Sequence, residues 1–135
     1  MSGNRPILLL HIGGPNCGSS ALQRYFYKGR RKLAAHDIHY IDRNLGVDQD
    51  QAMSHNQKML RLARAGHTGE LIHAFRKLAA WKPDATFVLS SETFTTEAPH
   101  AAVALKGLDT ICRVRVVQYV RSQVEFLHSA WQQWG

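Results

Sequence analysis

The sequence predicts an α/β protein: a mostly parallel sheet flanked by helices, built as one domain over residues 1–135. Three observations carry that expectation. Short β-rich runs occur at residues 7–12, 86–90 and 114–120, each bounded by polar or turn-forming residues. Stretches of helical periodicity lie between them. The first run, Ile7-Leu8-Leu9-Leu10-His11-Ile12, is apolar almost throughout, as a strand covered on both faces of a parallel sheet must be. Strands that alternate with helices form right-handed βαβ units.

Taken in order, the 7–12 strand is followed by a Gly/Pro-rich turn and then a helix over 20–35. There Leu22, Tyr25, Phe26, Gly29 and Leu33 mark one face at i, i+3, i+4, i+7 and i+11. Ile38-His39-Tyr40-Ile41 is a weaker strand. Helices over 50–65 and 70–81 follow, separated by Gly66-His67-Thr68-Gly69, and Lys82-Pro83-Asp84 stops the second before the 86–90 strand. After the 114–120 strand, Ser122 and Glu125 stand at capping-box spacing. Val124, Leu127, Trp131 and Trp134 then recur at helical spacing, a stripe expected to pack back on the sheet.

Composition narrows the class. The 135 residues include 17 Lys and Arg against 10 Asp and Glu, a net charge of +7 with the eight histidines neutral. The 44% apolar content is enough for a core, and the positive balance favours an anionic partner. No apolar run approaches the ~20 residues that span a bilayer, and the amino terminus lacks the pattern of a secretory signal. A cytoplasmic protein is the expectation. The two cysteines, Cys17 and Cys112, exclude a disulfide framework, and the scattered histidines show no metal-ligand spacing, so no metal is expected.

Three segments carry the candidate chemistry. His11-Ile12-Gly13-Gly14-Pro15-Asn16-Cys17-Gly18-Ser19-Ser20 leaves a buried strand, turns tightly and enters a helix at two hydroxyl residues. Such a loop aims backbone N–H groups and a positive helix end at one point, where a phosphate sits; a Gly-rich turn with no ligand is the plainer reading. Gly13 and Gly18 are spaced like the outer glycines of a nucleotide-binding P-loop, but Ser19 stands where its lysine belongs, which disfavours an ATPase, GTPase or small kinase. Tyr119-Val120-Arg121-Ser122 places an arginine at a strand end, the edge where open α/β sheets bind ligands, with Ser129 eight residues on. Leu89-Ser90-Ser91-Glu92 ends a strand in two hydroxyls and a carboxylate, a general base or a structural carboxylate. The basic run Lys28-Gly29-Arg30-Arg31-Lys32 reads as a solvated helix face, since no aromatic interleaving or nucleic-acid motif accompanies it.

In order and separation these segments resemble the bacterial branch of the sulfotransferase family. Its phosphosulfate loop runs H-I-G-x-P-K-T-G-T-T-x-L-Q, against His11-Ile12-Gly13-Gly14-Pro15-Asn16-Cys17-Gly18-Ser19-Ser20-Ala21-Leu22-Gln23 here. Its 3′-phosphate site is a strand ending in Arg with a Ser eight residues later, as at Arg121 and Ser129; the Ser-Ser-Glu strand end and Ile38-His39-Tyr40 are also similar. The resemblance runs from Pro6 to Trp131. It implies a P-loop-like fold that binds 3′-phosphoadenosine 5′-phosphosulfate and moves its sulfuryl group to a hydroxyl or amine, with a glycan or another hydroxyl compound as acceptor. On that resemblance Gly14, Pro15, Asn16, Cys17, Gly18, Ser19 and Ser20 hold the 5′-phosphosulfate, Arg121 and Ser129 hold the 3′-phosphate, and Glu92 is the base; no nucleic acid and no metal are involved. Asn16 replaces the family's loop lysine, so slow turnover, or an inactive nucleotide-binding module of the same fold, is the alternative. The resemblance also implies a domain truncated at its C-terminus, one sheet face partly bare, and a tendency to self-associate. Light scattering at rising protein concentration checks this: growing mass is the expected outcome, and a monomer at every concentration contradicts it.

Overall fold

Ile7–Ile12 forms β1, the strand on which the sheet is built. A computed structural model of the chain describes residues 4–12, 19–41, 45–47, 58–91, 93–118, 128 and 131–133. Three more strands complete the sheet: β2 (Ile38–Tyr40), β3 (Thr86–Ser91) and β4 (Arg113–Val117). They lie in the order β2-β3-β1-β4 with every pair parallel. Ile7 faces Thr86 on one side and Arg113 on the other, so β1, β3 and β4 start level and end at one edge.

Among the described residues six helices connect them: α1 (Ser19–Lys28), α2 (Arg30–Ala34), α3 (Lys58–Arg64), α4 (Thr68–Trp81), the single turn α5 (Thr93–Thr96) and α6 (Ala98–Leu108). Side chains on a strand alternate between faces, and the two faces of this sheet are different in kind. Leu8 and Leu10 of β1 and Phe87 and Leu89 of β3 join Met59 and Leu60 of α3, Leu71 and Phe75 of α4, and Ala104 and Leu108 of α6 in the apolar core. The opposite face meets α1: Gln23 reaches Ser90, and Phe26 stacks on Tyr40 with ring centroids 5.7 Å apart.

Local chemistry sets the helix ends. Gly66 has φ +74°, the left-handed conformation that suits a residue without a Cβ. With it, Gly66 N–H donates to Ala63 O at 3.2 Å and His67 N–H to Leu62 O at 2.8 Å, a Schellman closure of α3. Pro99 in the first turn of α6 fits because that N–H has no helical partner. Arg64 of α3 donates to Glu97 Oε2 at 2.7 Å, just before α6.

The expected strand at 7–12 forms, that expected at 38–41 is Ile38–Tyr40, and the 86–90 strand runs on to Ser91. The 114–120 strand is Arg113–Val117; residues 119 and 120, the capping box and most of the last helix lie outside the described residues, as do 50–57 of the helix expected over 50–65. Two expectations are corrected. The 20–35 helix breaks at Gly29, and Tyr25, counted on its apolar stripe, is 67% exposed, while Gln23 is buried instead. Trp131 is 74% exposed rather than packed on the sheet, and the neighbouring described residues His128, Gln132 and Gln133 are exposed too. Helix α6 was not anticipated, because its Ala-rich sequence has little amphipathic contrast.

Phe75 is fully buried in the core, so Phe75→Ala should cost about 3–5 kcal/mol by leaving a cavity. Gly66→Ala should cost about 1–2 kcal/mol through its φ alone. Urea denaturation midpoints test both.

Candidate functional site

The carboxyl edge of the sheet is where the three chemistry-bearing segments leave it. β1 ends at Ile12, directly before the Gly/Pro loop; β3 ends at Ser91, directly before Glu92; β4 ends at Val117, four residues before Arg121. Because all four strands are parallel, these ends share one edge. β1 and β3 are neighbours whose connections diverge: β1 leads through α1 and α2 to β2, beyond β3, while β3 leads through α5 and α6 to β4, beyond β1. Such a switch of direction opens a crevice at the carboxyl ends of the two strands.

Beneath that edge sits a buried polar cluster. His11 is paired in register with Ser90, and both are 1% exposed. His11 Nδ1 lies 2.8 Å from Ser90 Oγ, and the amide Nε2 of Gln23, on the first turns of α1, donates to the same oxygen at 3.2 Å. One hydroxyl thus ties β1, β3 and α1 together immediately below the loop. Burial pushes the His11 imidazole below its ordinary pKa, so it is neutral at pH 7 and supplies a fixed hydrogen bond rather than a charge. Ser91, on the opposite face, is fully buried.

Of the residues singled out from the sequence, Ser19 and Ser20 are the first two residues of α1, a ten-residue helix. Gly14, Pro15, Asn16, Cys17, Gly18, Glu92, Arg121 and Ser129 lie outside the described residues. The His11–Gln23–Ser90 cluster was not singled out. Its signal was present: a histidine inside an apolar strand and a serine at the end of another demand partners if buried.

A second buried histidine has another setting. His39 of β2 lies against the rings of Trp81 and Phe87, at 4.8 and 5.8 Å, and neither ring nitrogen is hydrogen-bonded. Burial lowers its pKa; the Asp37 carboxylate, 3.9 Å away, opposes that shift in part and Lys82 adds to it. Asp37 itself is held by Lys82 Nζ at 3.6 Å. Among the described residues no three His, Cys, Asp or Glu side chains gather as a metal site, and no helix is long and apolar enough to cross a membrane. Cys112 is 1% exposed, and burial pushes its thiol up to about 11.

Comparison with protein-family models, curated proteins and solved structures finds no match for this chain.

Two predictions follow from the buried groups. His11 and His39 have folded pKa values below the ordinary 6.5, so the unfolded chain binds more protons in mildly acidic solution. Their contribution is fully present above pH 6.5 and is lost as pH falls from there toward the folded values. Urea midpoints should therefore drop between pH 7.5 and 5, and His39→Leu should flatten the dependence. A thiol reagent at pH 8 should modify Cys112 only after denaturant is added, because the buried thiol is both protonated and shielded.

Proposed function

We propose that the chain is a sulfotransferase-like nucleotide-binding domain that takes 3′-phosphoadenosine 5′-phosphosulfate. The observation that carries the reading is the switch in connection direction between β1 and β3, with the Gly/Pro loop standing between β1 and α1 in the sequence. The resemblance of the loop, of Ser-Ser-Glu and of the Arg121/Ser129 pair to the family's motifs supports it, as all three segments depart from that one edge.

The bound nucleotide supplies the sulfuryl group that passes to a hydroxyl or amine, such as that of a glycan. In this reading the backbone N–H groups of residues 14–20 and the positive end of α1 hold the 5′-phosphosulfate. Arg121 and Ser129 hold the 3′-phosphate through a charge-assisted contact and a hydroxyl. Glu92 takes the proton from the acceptor. The His11–Gln23–Ser90 cluster keeps the strand end and the helix start in fixed relation, so the donors stay aimed without reorganisation. Fit to the group rests on this donor chemistry, cationic and N–H-rich, which needs no metal ion to meet the phosphates.

Asn16 favours a second form of the same reading, a nucleotide-binding module with little or no turnover. Its amide donates a hydrogen bond but brings no charge against the leaving phosphate.

Calorimetric titration separates these outcomes. A 3′,5′-bisphosphate nucleotide should bind more tightly than 5′-AMP, and Arg121→Ala should weaken it ~10- to 100-fold, the loss of about 1.5–3 kcal/mol. Equal affinities sink the nucleotide assignment. Asn16→Lys should raise sulfuryl transfer to a hydroxyl acceptor above the wild-type rate; a fully active wild type shows that another cation serves there.

A further inference from the structure

The α1–α2 segment concentrates the positive charge of the protein. Residues 19–35 hold Arg24, Lys28, Arg30, Arg31 and Lys32 and not one Asp or Glu, in a chain whose whole net charge is +7. Arg30, at the start of α2, turns back on α1: its guanidinium lies 4.3 Å over the Tyr27 ring and donates to Tyr27 O at 2.8 Å. The other four are exposed, Arg24 and Lys28 on α1 and Arg31 and Lys32 on α2, on either side of the break at Gly29. No ion pair among the described residues neutralises any of them. Like charges at i, i+4 repel, so Arg24 and Lys28 lower the stability of α1 unless an anion covers them.

The same segment carries a recess of about 480 Å³, lined among the described residues by Tyr25, Lys28, Gly29, Arg31, Lys32 and Leu33. Tyr25, 67% exposed, lines it together with the cations Lys28, Arg31 and Lys32. The linear sequence hides this interleaving: Tyr25 is three residues from Lys28 and seven from Lys32, and only the fold brings them together. Cations that track a backbone and an aromatic ring on which a base stacks are what single-stranded nucleic acid requires. A membrane surface is the poorer fit, since Tyr25 is the one exposed large apolar side chain of the segment.

We propose that the cations Arg24, Lys28, Arg31 and Lys32 and the Tyr25 recess form a binding site for single-stranded nucleic acid, separate from the carboxyl edge of the sheet. The site does not rest on the sulfotransferase-like reading.

Fluorescence anisotropy with labelled oligo(dT) and oligo(rU) of about a dozen nucleotides tests it on the full chain. Binding should fall with salt at a log–log slope of about −3, as expected for four phosphate contacts on a single strand. Lys28→Glu/Arg31→Glu/Lys32→Glu should abolish binding, whereas Arg76→Glu/Lys77→Glu, exposed on α4, should leave it within twofold. Tyr25→Ala should weaken it roughly tenfold and Tyr25→Phe should retain it, since stacking needs only the ring. Saturating 3′,5′-bisphosphate nucleotide and Arg121→Ala should have no effect on it. No binding in low salt, displacement by the bisphosphate, insensitivity to Tyr25→Ala, or equal loss in the α4 variant each overturns the proposal. Tighter binding of a sulfated polysaccharide that is indifferent to Tyr25 also overturns it.

Discussion

Everything at the carboxyl edge depends on β1 being held from both sides. It pairs in parallel with β3 and with β4, so its backbone hydrogen bonds are spent within the sheet and its side chains must go to the two faces. Leu8 and Leu10 supply the apolar contact to the α3, α4 and α6 layer. On the other face, a polar residue at position 11 is admissible only because Ser90 and Gln23 lie where a buried imidazole and hydroxyl can bond. Shortening any one of the three side chains leaves the others buried with fewer partners, a cost larger than a typical hydrogen bond contributes.

That constraint orders the rest of the molecule. Strand β3 has to sit beside β1 for the cluster to form, which sends the β1-to-β2 connection across one face and the β3-to-β4 connection across the other. That divergence falls at the carboxyl ends of β1 and β3, the place where open α/β sheets bind ligands. The helical layers divide accordingly: α3, α4 and α6 close over the face that holds the apolar core, with His39 and Ser91 buried on it, while α1 covers the face of the His11–Ser90 pair.

The two faces of α1 have opposite tasks. Inward, Gln23 and Phe26 meet Ser90 and Tyr40; outward, Arg24, Tyr25 and Lys28 are exposed. The Tyr40 hydroxyl, pushed up to about 12 by burial, stays protonated and neutral under this helix. A helix that serves the sheet on one side and repels itself on the other is held by tertiary contacts, not by its own charge pattern.

The sequence by itself determined the strand segments and their class. Apolar-rich runs such as 7–12 and 86–90 favour burial, and Gly66 and Pro83 interrupt periodicity wherever they stand. It also showed the Gly/Pro loop and the Ser-Ser-Glu strand end as chemically unusual. Strand order, the break at Gly29 and the partners of His11 were decided by the tertiary structure. A strand's pattern says that it is buried but not beside which neighbour, and β1 meets β3 across 79 residues of chain between His11 and Ser90. The 25–33 stripe shows the same limit. Tyr25 counts as apolar in any periodicity, yet the packing of Gln23 on Ser90 and of Phe26 on Tyr40 fixes the rotation of α1, and that rotation leaves Tyr25 exposed.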